Sequence, residues 1–339
     1  MNETLQSAAD SARLLELVDV LERRSRTTES LLNIAIELQQ VTEERSRSSE
    51  SLLNSLLELQ AVTEERSRTL LFESQQIRHA LTYQQESLHA WYLESLQARP
   101  PVSARAALQF GRQLRLETDH PIASHSNDHI QPDSTAEGIS RPAAFVRHCI
   151  DVLGRDIRCL DIGVGAAGLV FEFVMQGIAA LGIDGSDHCR KEGIGYWPIL
   201  PENLFTCDIT KPYRFAVRET GAPVAFQLIT CWEVMEHIAA NDTKVVLSRI
   251  RSLLADGGYF VGSISRLRYD APDGSPYHVT LESPDWWQHH FKEAGLLIVD
   301  DHPFDVSLFC RGNGPRFQDF HNYSRDPGAG FHFVARASS

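Results

Sequence analysis

Basic charge is scarce in this chain of 339 residues, and long apolar runs are absent. Lys and Arg number 32 against 45 Asp and Glu, a formal net charge of −13. Phosphate contacts dominate nucleic-acid affinity, and no lysine/arginine cluster offers them, so a DNA or RNA partner is not expected. No signal peptide and no apolar stretch of membrane-spanning length is present, which predicts a cytoplasmic protein without a membrane span. Cysteine is also sparse: Cys149, Cys159, Cys189, Cys207, Cys231 and Cys310 are scattered in apolar surroundings without C-x-x-C spacing. That pattern excludes a disulfide framework and a zinc ribbon, and predicts free thiols and no metal held by cysteine.

The first 98 residues lack glycine and proline altogether. Arg24-Ser25-Arg26 opens a segment running to Glu44, and the segment recurs from Arg45 with a period of 21 residues; a third copy opens at Arg66 and diverges. A period of three heptads without helix breakers predicts a long helix with a left-handed supercoil partner. Leu31, Ile34, Leu38 and Val41 fit an a/d seam, as do Leu52, Leu59 and Val62. The expectation is a coiled-coil oligomerisation stalk over 1–98, most simply a homo-oligomer. Docking onto another protein's helix, or folding back onto the chain's own domain, are the alternatives. Arg99-Pro100-Pro101 ends the helix, because proline removes a ladder donor and restricts its predecessor. Residues 99–140 are expected to be a linker and lid-like loop, with a short helix over Ala104–Leu116. His120, His125 and His129 fall in the loop, without helical spacing or a supporting cysteine, and are expected to be solvated, so that no metal site is expected anywhere in the chain.

Residues 141–339 carry the chemistry. Cys159-Leu160-Asp161-Ile162-Gly163-Val164-Gly165 is an apolar run ending in an acid and a glycine-rich turn. A helix is expected from near Leu169, and Leu181-Gly182-Ile183-Asp184-Gly185-Ser186 is a second strand tipped by an acid. Glycine allows close backbone approach to a ligand, and an acid at the end of the second strand can accept both ribose hydroxyls. A nucleoside cofactor follows, and an NAD-dependent oxidoreductase is one candidate. Asp161 disfavours it: a carboxylate two residues before the first glycine repels a pyrophosphate and attracts an ammonium. Asp208, with the backbone of Ile209, ends a third apolar run and suits an adenine amino group. Asp187 either adds a polar contact or caps the next helix. Phe226–Trp232 reads as a buried strand breaking into the polar turn Glu233-Val234-Met235-Glu236-His237 and then a helix.

Together these elements resemble the class I S-adenosylmethionine-dependent methyltransferases. The resemblance implies an α/β fold: a doubly wound, Rossmann-like methyltransferase domain behind an N-terminal long-helix coiled coil. Asp161, Gly163, Gly165, Asp184, Gly185, Ser186, Asp208 and Ile209 are then the expected contacts to S-adenosyl-L-methionine. Asp256-Gly257-Gly258 resembles the group's late glycine pair, with Asp256 where proline is usual. Asp128-His129-Ile130-Gln131-Pro132, Trp197-Pro198, Asn203–Pro212, Tyr277-His278-Val279-Thr280 and Trp286-Trp287 are similar to a bacterial methyltransferase group that accompanies glycosyltransferases in surface-polysaccharide synthesis. Where that group carries lid contacts, this chain has Asp133–Gly138. The likeness implies a glycan or sugar acceptor, with a glycosyltransferase as a possible partner of the stalk. A small-molecule or lipid-linked acceptor, and a scaffold with a weak enzyme domain, are the alternatives.

Methyl transfer to a hydroxyl requires a base. His237 and His278 are the two candidates, with Glu233 or Glu236 orienting the base or binding acceptor hydroxyls. Tyr277, Trp286 and Trp287 are divided between sugar stacking and core. Ser283-Pro284 predicts a helix start, and Phe331–Val334 a last antiparallel strand at the end of the sheet.

Overall fold

The computed structural model describes residues 30, 59–67, 101–132, 141–271, 273–314 and 321–338. The chain divides into two compact units, Met1–Tyr92 and Leu93–Ser339. In the first, residues 30 and 59–67 are helical. The rest of the predicted stalk, and the Asp133–Gly138 segment, lie outside the described residues.

The second unit is built on a seven-stranded sheet. Its strands are β2 (Arg158–Ile162), β3 (Ala179–Asp184), β4 (Leu204–Thr206), β6 (Phe226–Trp232), β7 (Leu254–Ser265), β8 (Leu296–Ile298) and β9 (Gly330–Ala337), in the order β4-β3-β2-β6-β7-β9-β8. The first five run parallel, and β9 pairs antiparallel with both β7 and β8. The helices are α1 (Ala104–Gln113), α2 (Asn127–Ile130), α3 (Ala143–Leu153), α4 (Gly168–Met175), α5 (His188–Lys191), α6 (Ala240–Leu253) and α7 (Pro284–Glu293).

Strand side chains alternate between the two faces of a sheet. Leu160, Ile162, Leu181, Ile183, Ile229 and Phe260 pack in one cluster with Val246, Leu247 and Ile250 of α6 and with Trp287 and Phe291 of α7. The alternate positions Cys159, Ala180 and Leu228 are equally buried outside that cluster, as are Phe145 of α3 and Phe171 of α4. Helices cover both faces, which is why the strands read as near-continuous apolar runs. All six cysteines are free and buried. Among the described residues no helix is long and apolar enough to cross a membrane.

Three expectations change. The helix from Ala104 stops at Gln113, and Leu114–Thr118 is instead strand β1, paired antiparallel with β5 (Tyr213–Val217) in a separate two-stranded sheet. The region expected to be loop from Glu117 to Pro142 includes the short helix α2, capped by Ser126, whose side chain accepts from the Asp128 N–H. The last strand, β9, is antiparallel as expected but is not at the end of the sheet: it is inserted between β7 and the edge strand β8. Phe333, Val334 and Ala335 are buried in succession, the mark of a strand covered on both faces rather than an edge.

The start of α7 follows its sequence signals, with Pro284 in the first turn and the Ser283 side chain accepting from Trp286 N–H. Trp287 is fully buried in the core, while Trp286 is half-buried and stacks on His290 at 3.7 Å. Asn203 has a structural role. Its amide, wholly buried, donates to Ala180 O of β3 (2.9 Å) and to Ala107 O of α1 (3.1 Å), tying that helix to the sheet.

Candidate active site

A cavity of about 550 Å³ opens at the carboxyl ends of the parallel strands, where α/β sheets bind their ligands. Asp161, Gly163, Gly165, Asp184, Gly185, Ser186, Asp208 and Ile209 all line it, and so do Glu233, His237 and His278. Glu236 is not on its wall: that side chain is fully buried behind it. Six carboxylates (Asp128, Asp161, Asp184, Asp208, Glu233, Asp242) line the cavity, against two cations, Lys211 and Arg311. Such a lining favours a cationic ligand.

At the β2–β3 end the backbone is shaped for close approach. Gly163 and Gly165 take positive φ values of 75° and 49°, the region that glycine alone occupies freely. A Cβ on Gly163 would stand 2.2 Å from Val234 Cγ2. Asp184 closes the turn, its Oδ2 accepting from Gly165 N–H and its Oδ1 from Ser186 N–H, both at 2.8 Å. From outside, Trp197 Nε1 donates to Gly165 O (2.8 Å) and Tyr196 N–H to Ala166 O (3.0 Å), buttressing the turn. Asp208 is held by its own turn, Oδ1 accepting from Thr210 N–H (2.9 Å) and Thr210 Oγ1 (2.6 Å). Asp187 makes no side-chain cap to α5 and pairs with Lys191 at 3.1 Å.

Burial shapes the charge of this end. Asp161 is 5 % exposed. Desolvation pushes its pKa to about 7, against a 2.7 Å hydrogen bond from Thr230 Oγ1 that favours ionisation. Desolvation likewise raises Asp184 to about 6, opposed by the backbone donors of Ser186, Gly165 and Gly185.

The other end of the cavity is assembled from four distant segments. Residues 120–131 cross the strand ends: Ala123 N–H donates to Gly185 O (2.8 Å) and Asp208 N–H to His120 O (3.0 Å). Asn127 Nδ2 then donates to Pro276 O (2.7 Å), Gln131 Nε2 to Asp273 (2.6 Å) and the Tyr277 hydroxyl to Gln131 O. This strap meets the 266–283 insertion over the cavity. It also delivers Asp128, whose Oδ2 lies 3.0 Å from His237 Nδ1, a charge contact without a well-directed hydrogen bond. His129, one of the expected solvated histidines, instead faces Ser186 Oγ at 3.4 Å.

His237 and His278 meet with ring centroids 4.8 Å apart. Desolvation works against the charged form of His237, but Asp128 outweighs it and the pKa is raised. At His278, desolvation and the neighbouring His237 charge lower the pKa. The His278 Nδ1 faces Leu267 O, which places its proton there and leaves Nε2 as the acceptor. Glu233 sits at the end of β6 in the left-handed region (φ 56°), and its Oε1 accepts from the Tyr323 hydroxyl. Backbone strain of this kind at a non-glycine residue clusters at functional sites. Glu236 Oε1 accepts from Ser265 N–H (2.9 Å), its Oε2 has no partner, and burial raises its pKa to about 8.

Sequence reasoning assigned no role to Asp128, Thr230, Tyr269 or Tyr323. Asp128 stood in a stretch singled out by resemblance, and the Ser126 cap before it was readable. The other three carry no local signal.

Residues 135–301 match the family model described as a methyltransferase domain. The matched span encloses both acid-tipped strands, both glycine turns and the Glu233–His237 turn. Many solved structures are similar to this chain. One is the CcbJ methyltransferase from Streptomyces caelestis, at 14 % identity over 66 % of this chain and 100 % of that one, with a TM-score of 0.42. Another is the 1,6-didemethyltoxoflavin-N1-methyltransferase of Burkholderia thailandensis with S-adenosylhomocysteine bound, at 16 % identity, 64 % and 85 % coverage and a TM-score of 0.41. A third is the mitomycin 7-O-methyltransferase MmcR, at 11 % identity, 58 % and 54 % coverage and a TM-score of 0.35. No curated protein matches the chain. Over residues 135–301 the chain is similar to methyltransferase domains, and that match supports an S-adenosylmethionine-dependent methyltransferase. The cavity fits that cofactor: its buried acids call for a cation, and Gly163 leaves room only for backbone.

Proposed function

We propose that this domain methylates a hydroxyl of a sugar, in a glycan or glycan precursor. Tyr269 is the observation that carries the reading. It is 47 % exposed on the cavity wall, its ring stacked on Tyr277 at 5.3 Å and 5.8 Å from that of His278. An aromatic face beside two histidines offers a sugar ring apolar area next to a proton acceptor. The likeness of the Asp128, Asn203 and Tyr277 stretches to polysaccharide-associated methyltransferases supports the same acceptor.

In this reading Asp161 binds the ammonium of the cofactor, Asp184 the ribose hydroxyls, and Asp208 with the Ile209 backbone the adenine. Gly163, Gly165, Gly185 and Ser186 form the wall that lets it approach. Bound S-adenosylmethionine supplies a methyl group already activated on a sulfonium. The chain's own work is alignment of the acceptor and removal of its proton. His278 Nε2 takes that proton, because the ring is held neutral with its lone pair free. His237 and Glu233 bind and orient the acceptor, and Glu236 acts from behind the wall. The stalk assembles the enzyme, since Leu59 and Val62 of its seam are 63 % and 52 % exposed.

Incubation with labelled cofactor and a panel of nucleotide sugars, oligosaccharides, phenols and amines tests the acceptor. One methyl gained on a sugar oxygen is expected, and methylation of amines alone sinks the proposal. Light scattering of the full chain tests the stalk, and a monomer at micromolar concentration refutes it.

A further inference from the structure

We propose that Glu236, His237 and His278 form a divalent-cation site at the acceptor end of the cavity. One donor atom from each lies within 4.8 Å of those of the other two. What makes this a built site is the outer contact each side chain already makes. Glu236 Oε1 is occupied by Ser265 N–H, leaving Oε2 buried with no partner. His278 Nδ1 is occupied by Leu267 O, leaving Nε2. His237 Nδ1 lies 3.0 Å from Asp128 Oδ2 in a charge contact, not a directed hydrogen bond. Metal-binding imidazoles are oriented in this way, one ring nitrogen on a carboxylate or carbonyl and the other on the ion.

The three donors are also locked to one another. The Glu236 carbonyl accepts from Val279 N–H (2.8 Å) and Thr280 N–H (3.0 Å), and Thr280 Oγ1 donates to Ile238 O (2.7 Å). The His278 segment is thereby pinned to the turn that carries the other two side chains. A wholly buried carboxylate with one oxygen unsatisfied is costly unless something compensates it. A cation satisfies that oxygen and both imidazoles at once. Two nitrogens and one oxygen favour Mn²⁺, Co²⁺ or Zn²⁺ over Mg²⁺ or Ca²⁺, and three protein ligands leave coordination positions open. His237 and His278 line the cavity, so those positions face the acceptor. A hydroxyl arriving there is acidified by the ion, and its proton passes to the Glu233 carboxylate on the same wall, so that His278, its Nε2 taken by the ion, holds the metal in place of acting as the base.

This inference rests on the cavity being the methyl-transfer site, not on the acceptor being a sugar. The test uses the full chain, stripped with a chelator and titrated with Co²⁺ and Mn²⁺, followed by visible absorption and calorimetry. Cofactor affinity is measured on the same samples. One equivalent of metal is expected, with affinity lower by about tenfold or more in Glu236→Gln and His278→Ala, and by about tenfold in Asp128→Asn. Cofactor affinity retained in the variants shows that they are folded. If the wild type binds cofactor but takes up no Co²⁺ or Mn²⁺ at millimolar concentration, the inference is overturned and Glu236 is a buried neutral acid. If His278→Ala binds metal as tightly as wild type, or chelation leaves turnover intact, it is overturned in favour of His278 as a direct base. Metal uptake without cofactor binding leaves the site standing and defeats the methyltransfer reading instead.

Discussion

The two ends of the cavity are made in different ways. At the cofactor end each acid sits at the tip of its own strand and is satisfied within a few residues or by the neighbouring strand: Asp184 by Gly165 and Ser186, Asp208 by Thr210, Asp161 by Thr230. At the acceptor end Asp128, His237, His278 and Tyr323 come from segments as much as about two hundred residues apart in sequence, joined by the contacts Asp128–His237 and Glu233–Tyr323. A strand-end carboxylate set by parallel pairing is fixed with the sheet. A pocket closed by a strap and an insertion can change its ligand without disturbing the sheet.

Separate substitutions should therefore separate binding from turnover. His278→Ala is expected to lower kcat by about 10²–10⁴-fold while the cofactor Kd changes by no more than about twofold; a matching loss of cofactor affinity would erase the distinction between the ends. Asp161→Ala is expected to weaken cofactor binding by about 100-fold or more, the scale of removing one partner of a buried charge pair. Calorimetry gives that value directly, and an unchanged Kd would contradict the ammonium assignment.

The pH dependence sharpens the contrast. Burial holds Asp161 near 7, well above its ordinary value of 3.8, so the ligand-free fold binds an extra proton at neutral pH. Its contribution to stability is complete below the unfolded value and is lost as pH rises through about 7. A cationic ligand favours the ionised form, so its affinity should rise by about tenfold per unit up to about pH 7 and level off above. Ligand-free Tm should fall over the same window. Asp161→Asn should flatten both curves, and a slope that survives it would assign the proton elsewhere. The smallest effect belongs to Tyr269→Ala: an acceptor KM higher by about 2–10-fold, with kcat and cofactor affinity kept. A change in kcat instead would make that ring part of the chemistry rather than a platform.

The same contrast explains what could be read before any fold was known. Apolar runs ending in Asp161, Asp184 and Asp208 and the glycines at 163 and 165 specify strands and turns that line one cavity, because each signal acts through neighbours in sequence. The start of α7 at Ser283-Pro284 was readable for that reason too. Order in the sheet was not. Whether β9 forms an edge or is inserted between β7 and β8 depends on partners that alternation does not encode, and Leu114–Thr118 becomes a strand only because Tyr213–Val217 lies beside it. Glu236 illustrates the limit most clearly. Its place beside His237 suggested a hand in the cavity, yet on the short turn Met235–His237 adjacent side chains point apart. Chain folding alone buried it against Ser265 and brought His278 round to meet it, since proximity between distant segments is a property of packing and leaves no trace in local composition.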